Sequence, residues 1–188
     1  MRLFAQHQRL LADSAIDPAV ARERGYVSVD TRQRLRDLGF ADAQCRVPGL
    51  LIPIRDTTGG VGLHQYRPDE PRQIDGRPVK YETPAGSRVV VDVSELALRT
   101  LHNPRTPLVV TEGARKVDAL ASAGLSAIGL LGVSAWRSGG VALPDLLDIV
   151  WSGRRTLIAF DSDVMVKPAV QRELLALTRY PQGEGRQR

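Results

Sequence analysis

A chain of 188 residues, 43% hydrophobic and 25% charged, has the size and composition of one ordinary globular domain or two small ones, with material for a sizeable core. Its single cysteine, Cys45, excludes an internal disulfide framework and a zinc ribbon. The absence of any apolar run of ~18 residues, or of a secretory signal at the start, predicts a cytoplasmic protein with no membrane span.

The net charge of +5 permits a polyanionic partner without requiring one. Among 26 basic groups only Lys80, Lys116 and Lys167 are lysines, so most of the positive charge is guanidinium, whose planar fork suits phosphates. The excess is shared by both halves of the chain, which excludes a basic arm.

In chain order, residues 1–45 read as a helical segment. Asp17 is an N-cap and Pro18 a first-turn proline for a helix that runs through Arg24 to a stop at Gly25. Residues 25–29 read as a connector. Thr31 caps a second helix over 32–38, ended by Gly39. Nothing here carries evident chemistry, and a packing or docking pair of helices is the expectation.

Residues 46–106 read as a small β-rich unit. A strand over 49–54 meets the turn Asp56-Thr57-Thr58-Gly59-Gly60 and returns over 61–67. A polar loop covers 69–78, followed by extended segments over 80–84 and 88–93.

Residues 107–188 change to an α/β rhythm. The strand over 107–111 is almost wholly apolar, as a strand buried on both faces must be. Glu112-Gly113 turns the chain into a helix over 114–123, stopped by Gly124. A strand over 127–131, a loop over 132–140, a helix over 143–151 and a strand over 155–160 follow. The third strand leads into Asp161-Ser162-Asp163, then a helix over 168–179 and a polar tail from Pro181. Strands alternating with helices of this length predict a parallel sheet with right-handed crossovers.

Ligands of open parallel sheets bind at the carboxyl ends of the strands. Two acidic motifs stand at such ends: Thr111-Glu112-Gly113 after the first strand and Asp161-Ser162-Asp163 after the third. If those strands are neighbours, Glu112, Asp161 and Asp163 converge on one rim. Carboxylates so close repel unless a cation sits among them, and hard oxygen donors select Mg²⁺ or Mn²⁺. Singly, each motif is weak, since an Asp after a buried strand is often only a helix cap. Their joint placement is the stronger signal.

This pairing of a strand ending in Glu-Gly with a later strand ending in Asp-x-Asp resembles the TOPRIM domain of bacterial-type DNA primases, topoisomerases and some nucleases. The resemblance implies a TOPRIM-like parallel sheet flanked by helices, preceded by a small helical and β-rich N-terminal part. It assigns Glu112, Asp161 and Asp163 to divalent metal and phosphoryl transfer.

Upstream, Arg46-Val47-Pro48-Gly49-Leu50-Leu51-Ile52-Pro53-Ile54-Arg55-Asp56, Tyr66-Arg67 and Val79-Lys80-Tyr81 resemble the β-rich part of the primase catalytic core. By that resemblance Arg46, Arg67 and Lys80 contact template or nucleotide phosphates. The run Glu112-Gly113-Ala114-Arg115-Lys116-Val117-Asp118-Ala119-Leu120 is similar to primase-like proteins of plasmids, phages and integrated elements. Lys116 stands where cellular primases carry an acid, which implies a phosphate-binding ammonium in place of a metal ligand. Trp136-Arg137 suits stacking on a base and holding a phosphate; packing at the sheet edge is the alternative.

The expected function is therefore metal-dependent primer synthesis by nucleotidyl transfer in mobile-element replication. Single-stranded DNA and nucleoside triphosphates are the expected ligands. The resemblance implies a chain shorter than its relatives, so a helicase or a separately encoded remainder of the primase is a further expected partner. A catalytically inactive module that docks DNA or a helicase, and a TOPRIM nuclease, are the rival readings.

Overall fold

A computed structural model describes residues 2–160 and 168–183. Two compact units emerge: Met1–Ile54 with Val61–Arg88, and Arg55–Gly60 with Val89–Arg188. Among the described residues no helix is long and apolar enough to cross a membrane.

The first unit begins with α1 (Ala5–Asp13) and α2 (Pro18–Arg24). Asp17 caps α2, its carboxylate accepting from the Ala19 N–H at 2.6 Å, and Gly25 ends it in the left-handed conformation at φ 87°. β1 (Val27–Val29) then pairs antiparallel with β2 (Gly49–Arg55), Val27 opposite Leu51 and Val29 opposite Gly49. The expected connector over 25–29 is thus partly a strand. Three residues are too few to show a period, and the pairing comes from 20 or so positions away.

α3 (Arg32–Asp37) follows, with Gly39 at φ 84° after it. β3 (Val61–Pro68) completes a sheet of order β1-β2-β3, and β4 (Gln73–Ile74) pairs with β5 (Arg77–Pro78). Val27, Val29, Leu35, Phe40, Cys45, Leu51 and Tyr66 form one core cluster of this unit. Tyr66 is wholly buried and meets Phe40 edge-on, ring centroids 5.9 Å apart.

The second unit is built on a four-stranded sheet of order β11-β7-β8-β6. β7 (Leu108–Glu112), β8 (Ala127–Leu130) and β11 (Thr156–Ala159) run parallel, whereas β6 (Asp92–Val93) joins antiparallel at the edge beside β8. The first and third strands of the expected sheet are therefore neighbours, with the second on the other side. β7 is central and reads as unbroken hydrophobicity because both faces are covered. Val109 packs with Val117 and Ala127 beneath α5 (Ala114–Ser122). Leu108 and Val110 enter the larger cluster with Ile128, Leu130, Trp136 and Trp151.

Further elements differ from expectation. α4 (Glu95–Thr100) was not anticipated, although Ser94 caps it, its Oγ accepting from the Ala97 N–H at 3.1 Å. The expected helix over 143–151 is a short 3-10 turn, Pro144–Asp148. Leu143, Leu146 and Ile149 are buried while Leu147 is 66% exposed. That spacing of three suits the tighter helix, and the buried Asp145 carboxylate accepts from the Val91 N–H at 2.9 Å instead of continuing an α-helix. β9 (Arg137–Ser138) and β10 (Val141–Ala142) form a small hairpin in the expected loop. α6 (Pro168–Gly183) runs into the expected tail.

Candidate functional site

In the second unit, the rim of interest is the carboxyl end of the parallel strands. Glu112 is the last residue of β7, half-buried, and Gly113 follows as the N-cap of α5. Gly113 adopts φ 82°, a value that strains residues with a Cβ, so the tight strand-to-helix turn after Glu112 requires glycine. Its N–H donates to the Leu130 carbonyl at 2.9 Å, tying the turn to β8. The Thr111 hydroxyl donates to the Ala159 carbonyl at 2.7 Å, and Thr111 lies opposite Ala159 in the parallel register. β11 therefore leaves the sheet at the same rim as Glu112.

Asp161 and Asp163 lie outside the described residues. Among the described residues, no three His, Cys, Asp or Glu side chains gather into a metal-binding group. Glu112 offers the hard oxygen donors that Mg²⁺ or Mn²⁺ prefers. Its chemistry fits such an ion only as one member of a larger set.

Lys116 sits in the first turn of α5, half-buried, one helical turn after Glu112. A cation at a helix N-terminus opposes the helix dipole, so its position there is not explained by helix stability.

Arg137 is engaged within its own unit. Its guanidinium meets the Glu173 carboxylate at 2.5 Å and lies 5.0 Å from the Trp136 ring centroid. Hydrogen bonding from Arg137, above all, holds the Glu173 carboxyl below the usual carboxylate range. Trp136 is 6% exposed, donates from Nε1 to Glu173 at 3.2 Å, and packs 6.0 Å from Tyr180. This is the packing arrangement, with the indole buried in the core cluster of the second unit and Arg137 over its ring.

The other proposed phosphate-binding residues belong to the first unit. Arg67 is half-buried on β3 and Lys80 is exposed after β5. Arg46 is exposed at the entry to β2 and is held from two sides. The Tyr66 hydroxyl donates to the Arg46 carbonyl at 2.7 Å, and Arg46 Nε donates to the Glu70 carbonyl at 2.9 Å. Burial keeps the Tyr66 phenol protonated, pushing it well above its ordinary range, so the first of these bonds is not lost at any physiological pH. Arg46, Arg32, Val47 and Glu70 line a pocket of about 200 Å³. Arg32 carried no chemistry in the sequence reading; its only signal was the row Arg32-x-Arg34-x-Arg36.

A second polar group in this unit also escaped notice. His7 is 1% exposed, its Nδ1 2.7 Å from the Ser28 hydroxyl and its Nε2 2.8 Å from Asp69. The order Ser–His–Asp resembles a nucleophile relay, but Ser28 Oγ is buried and already accepts from the Phe4 N–H at 2.7 Å. The arrangement joins α1, β1 and the end of β3. Replacing His7 with Leu is expected to cost about 2 kcal/mol by removing its hydrogen bonds to the buried Ser28 hydroxyl and to the partly exposed Asp69 carboxylate, read as a lower urea midpoint with an unchanged m-value.

These features accord with what comparison shows. A family model described as a domain of unknown function (DUF3854) matches residues 99–186, under half of the chain. No curated protein matches it. The fold is that of bacterial primase catalytic cores. The zinc-binding and RNA polymerase domains of the Aquifex aeolicus primase align at TM-score 0.61 and 16% identity, over 92% of this chain and 46% of that one. A DnaG primase catalytic domain bound to single-stranded DNA aligns at 0.59 and 18%, over 92% and 58%. The RNA polymerase domain of Mycobacterium tuberculosis DnaG, in complex with double-stranded DNA, aligns at 0.57 and 22%, over 89% and 60%. This chain spans about half the length of the first of these structures and under two thirds of the others.

Proposed function

We propose that this protein is a TOPRIM-type primase-like domain that binds single-stranded DNA and nucleoside triphosphates and, with Mg²⁺ or Mn²⁺, joins nucleotides into short primers. The observation that carries the reading is the rim. Glu112 ends the central strand, and the neighbouring strand that precedes Asp161-Ser162-Asp163 leaves the sheet on the same side, on a fold of the primase class.

In the proposed reaction, a primer hydroxyl attacks the α-phosphorus of an incoming triphosphate and pyrophosphate leaves. A divalent ion, when bound, supplies Lewis-acid polarisation of the phosphoryl oxygens. Glu112, Asp161 and Asp163 would hold it, with Glu112 alternatively taking the proton of the attacking hydroxyl. Lys116 would face triphosphate charge. Arg46, Arg67 and Lys80 would contact backbone phosphates, and Arg137 would reach a phosphate only by leaving Glu173.

A protein partner belongs to this reading too. Among the described residues β11 pairs only with β7, and its Leu157 is 46% exposed. An edge of this kind suits addition of a further strand, from a separately encoded remainder of the primase or a helicase. The setting we propose is cytoplasmic replication of a mobile element, on the strength of the motif resemblance alone.

The test is primer synthesis on a single-stranded template with Mg²⁺ or Mn²⁺, comparing wild type with an Asp161→Ala/Asp163→Ala double variant. Loss of product in the variant is expected. Equal yields would overturn the catalytic assignment, and template binding without synthesis by the wild type and its partners would favour a docking module.

A further inference from the structure

We propose that Arg32 and Arg46 form a two-guanidinium clamp on one backbone phosphate of a single-stranded nucleic acid. The proposal rests on the primase-like reading and adds to it a residue from the helical segment. Both side chains line one pocket, of about 200 Å³, with Val47 and Glu70. That is below the ~300–1,000 Å³ of sites that enclose a whole small molecule. It suits a single phosphodiester group with the remaining strand outside.

The pocket is built, at least on one side. Arg46 is fixed through its carbonyl by the buried Tyr66 hydroxyl and through Nε by the Glu70 carbonyl. With Nε engaged, the terminal nitrogens of the fork carry the donors available to a ligand, and a pre-oriented fork loses less freedom on binding. Arg32 stands in the first turn of α3, whose Leu35 is wholly buried in the core of the unit, so its backbone is a fixed base. Two guanidiniums on one pocket repel each other, and an anion between them relieves that repulsion. Glu70 also lines the pocket, but it is its backbone carbonyl that holds Arg46. Its carboxylate would compete with the phosphate.

The shared chemistry is a phosphate oxygen, which a strand or a nucleoside triphosphate could supply; the open pocket of one-group size favours the strand. The experiment has both arms: fluorescence anisotropy of a labelled single-stranded oligonucleotide over a salt series, and titration with a nucleoside triphosphate. Arg32→Gln and Arg46→Gln are each expected to weaken oligonucleotide binding about fivefold to tenfold. The double variant should lose less than the product of the two, because one phosphate is shared. Its log–log salt slope should fall by roughly 0.7, one contact rather than two. Glu70→Gln should tighten binding about twofold, and Asp13→Asn, equally exposed on α1, should not.

Thermal melting checks that the exposed Arg32 substitution leaves the fold intact. If Arg32→Gln binds the strand like wild type while Arg46→Gln does not, the clamp is wrong and the primase-like reading survives. If its loss appears only in the triphosphate arm, the strand assignment is overturned. If wild type binds no single strand at all, both fall.

Discussion

Replacing Glu112 with Gln is expected to lower metal-dependent primer synthesis by roughly a hundredfold or more, with little change in thermal midpoint. Gln matches Glu in shape, and the turn that follows is held by backbone, Gly113 N–H to the Leu130 carbonyl at 2.9 Å, not by the Glu112 side chain. What Gln lacks is charge. It neither balances a divalent cation nor takes a proton from an attacking hydroxyl. The two roles separate experimentally. If Glu112 is chiefly a ligand, raising Mn²⁺ restores part of the activity of the variant. If it is chiefly a base, extra metal does not help. A Gln variant with wild-type primer yield would remove Glu112 from the site.

The second large effect is on stability and lies far from any chemistry. Gly49→Ala is expected to destabilise the first unit by about 3 kcal/mol, measured by urea or thermal unfolding. Gly49 opens β2 opposite Val29, and a Cβ there would overlap the Tyr66 hydroxyl and ring and lie 2.6 Å from the Arg67 carbonyl. A flexible side-chain end could yield, but a backbone carbonyl in β3 and a wholly buried phenol cannot do so cheaply. Because Tyr66 also donates to the Arg46 carbonyl, displacing it should disturb the Arg46 guanidinium. The variant should therefore show weaker single-strand binding even at temperatures where it remains folded. An unchanged melting curve would mean that β2 and β3 have room that their geometry denies.

Much of the second unit was legible from local pattern. β7 was visible because a central strand must be apolar on both faces, and α5 because a glycine bounds it at each end. The strand–helix alternation gave the parallel sheet, but the order β11-β7-β8 entered the sequence reading only as a condition and is set by the structure. The α2 cap at Asp17 and its stop at Gly25 were equally local, each being one residue acting on its own backbone.

The misses share a different cause. β1 is three residues long and exists only because β2 lies beside it. The 3-10 turn at Pro144–Asp148 replaced an expected α-helix because Asp145 is drawn to the Val91 N–H. The partner that Arg137 meets, Glu173, and the packing of Trp136 are likewise not visible in its neighbourhood of the chain. The Ser28–His7–Asp69 row joins residues up to 62 positions apart, and no spacing rule connects them.

Sequence alone thus settled the class of fold and the strand-end placement of Glu112, for a physical reason: burial periodicity, caps and glycine turns act over a few residues, and Glu112 is defined by where its own strand stops. Only the tertiary structure decided what the cations meet. It turned Arg137 to a carboxylate, anchored Arg46 on Tyr66 and Glu70, and set Arg32 on the same pocket. A charged side chain's role depends on which distant group lies within a few ångströms of it, and that distance is a property of the packed chain.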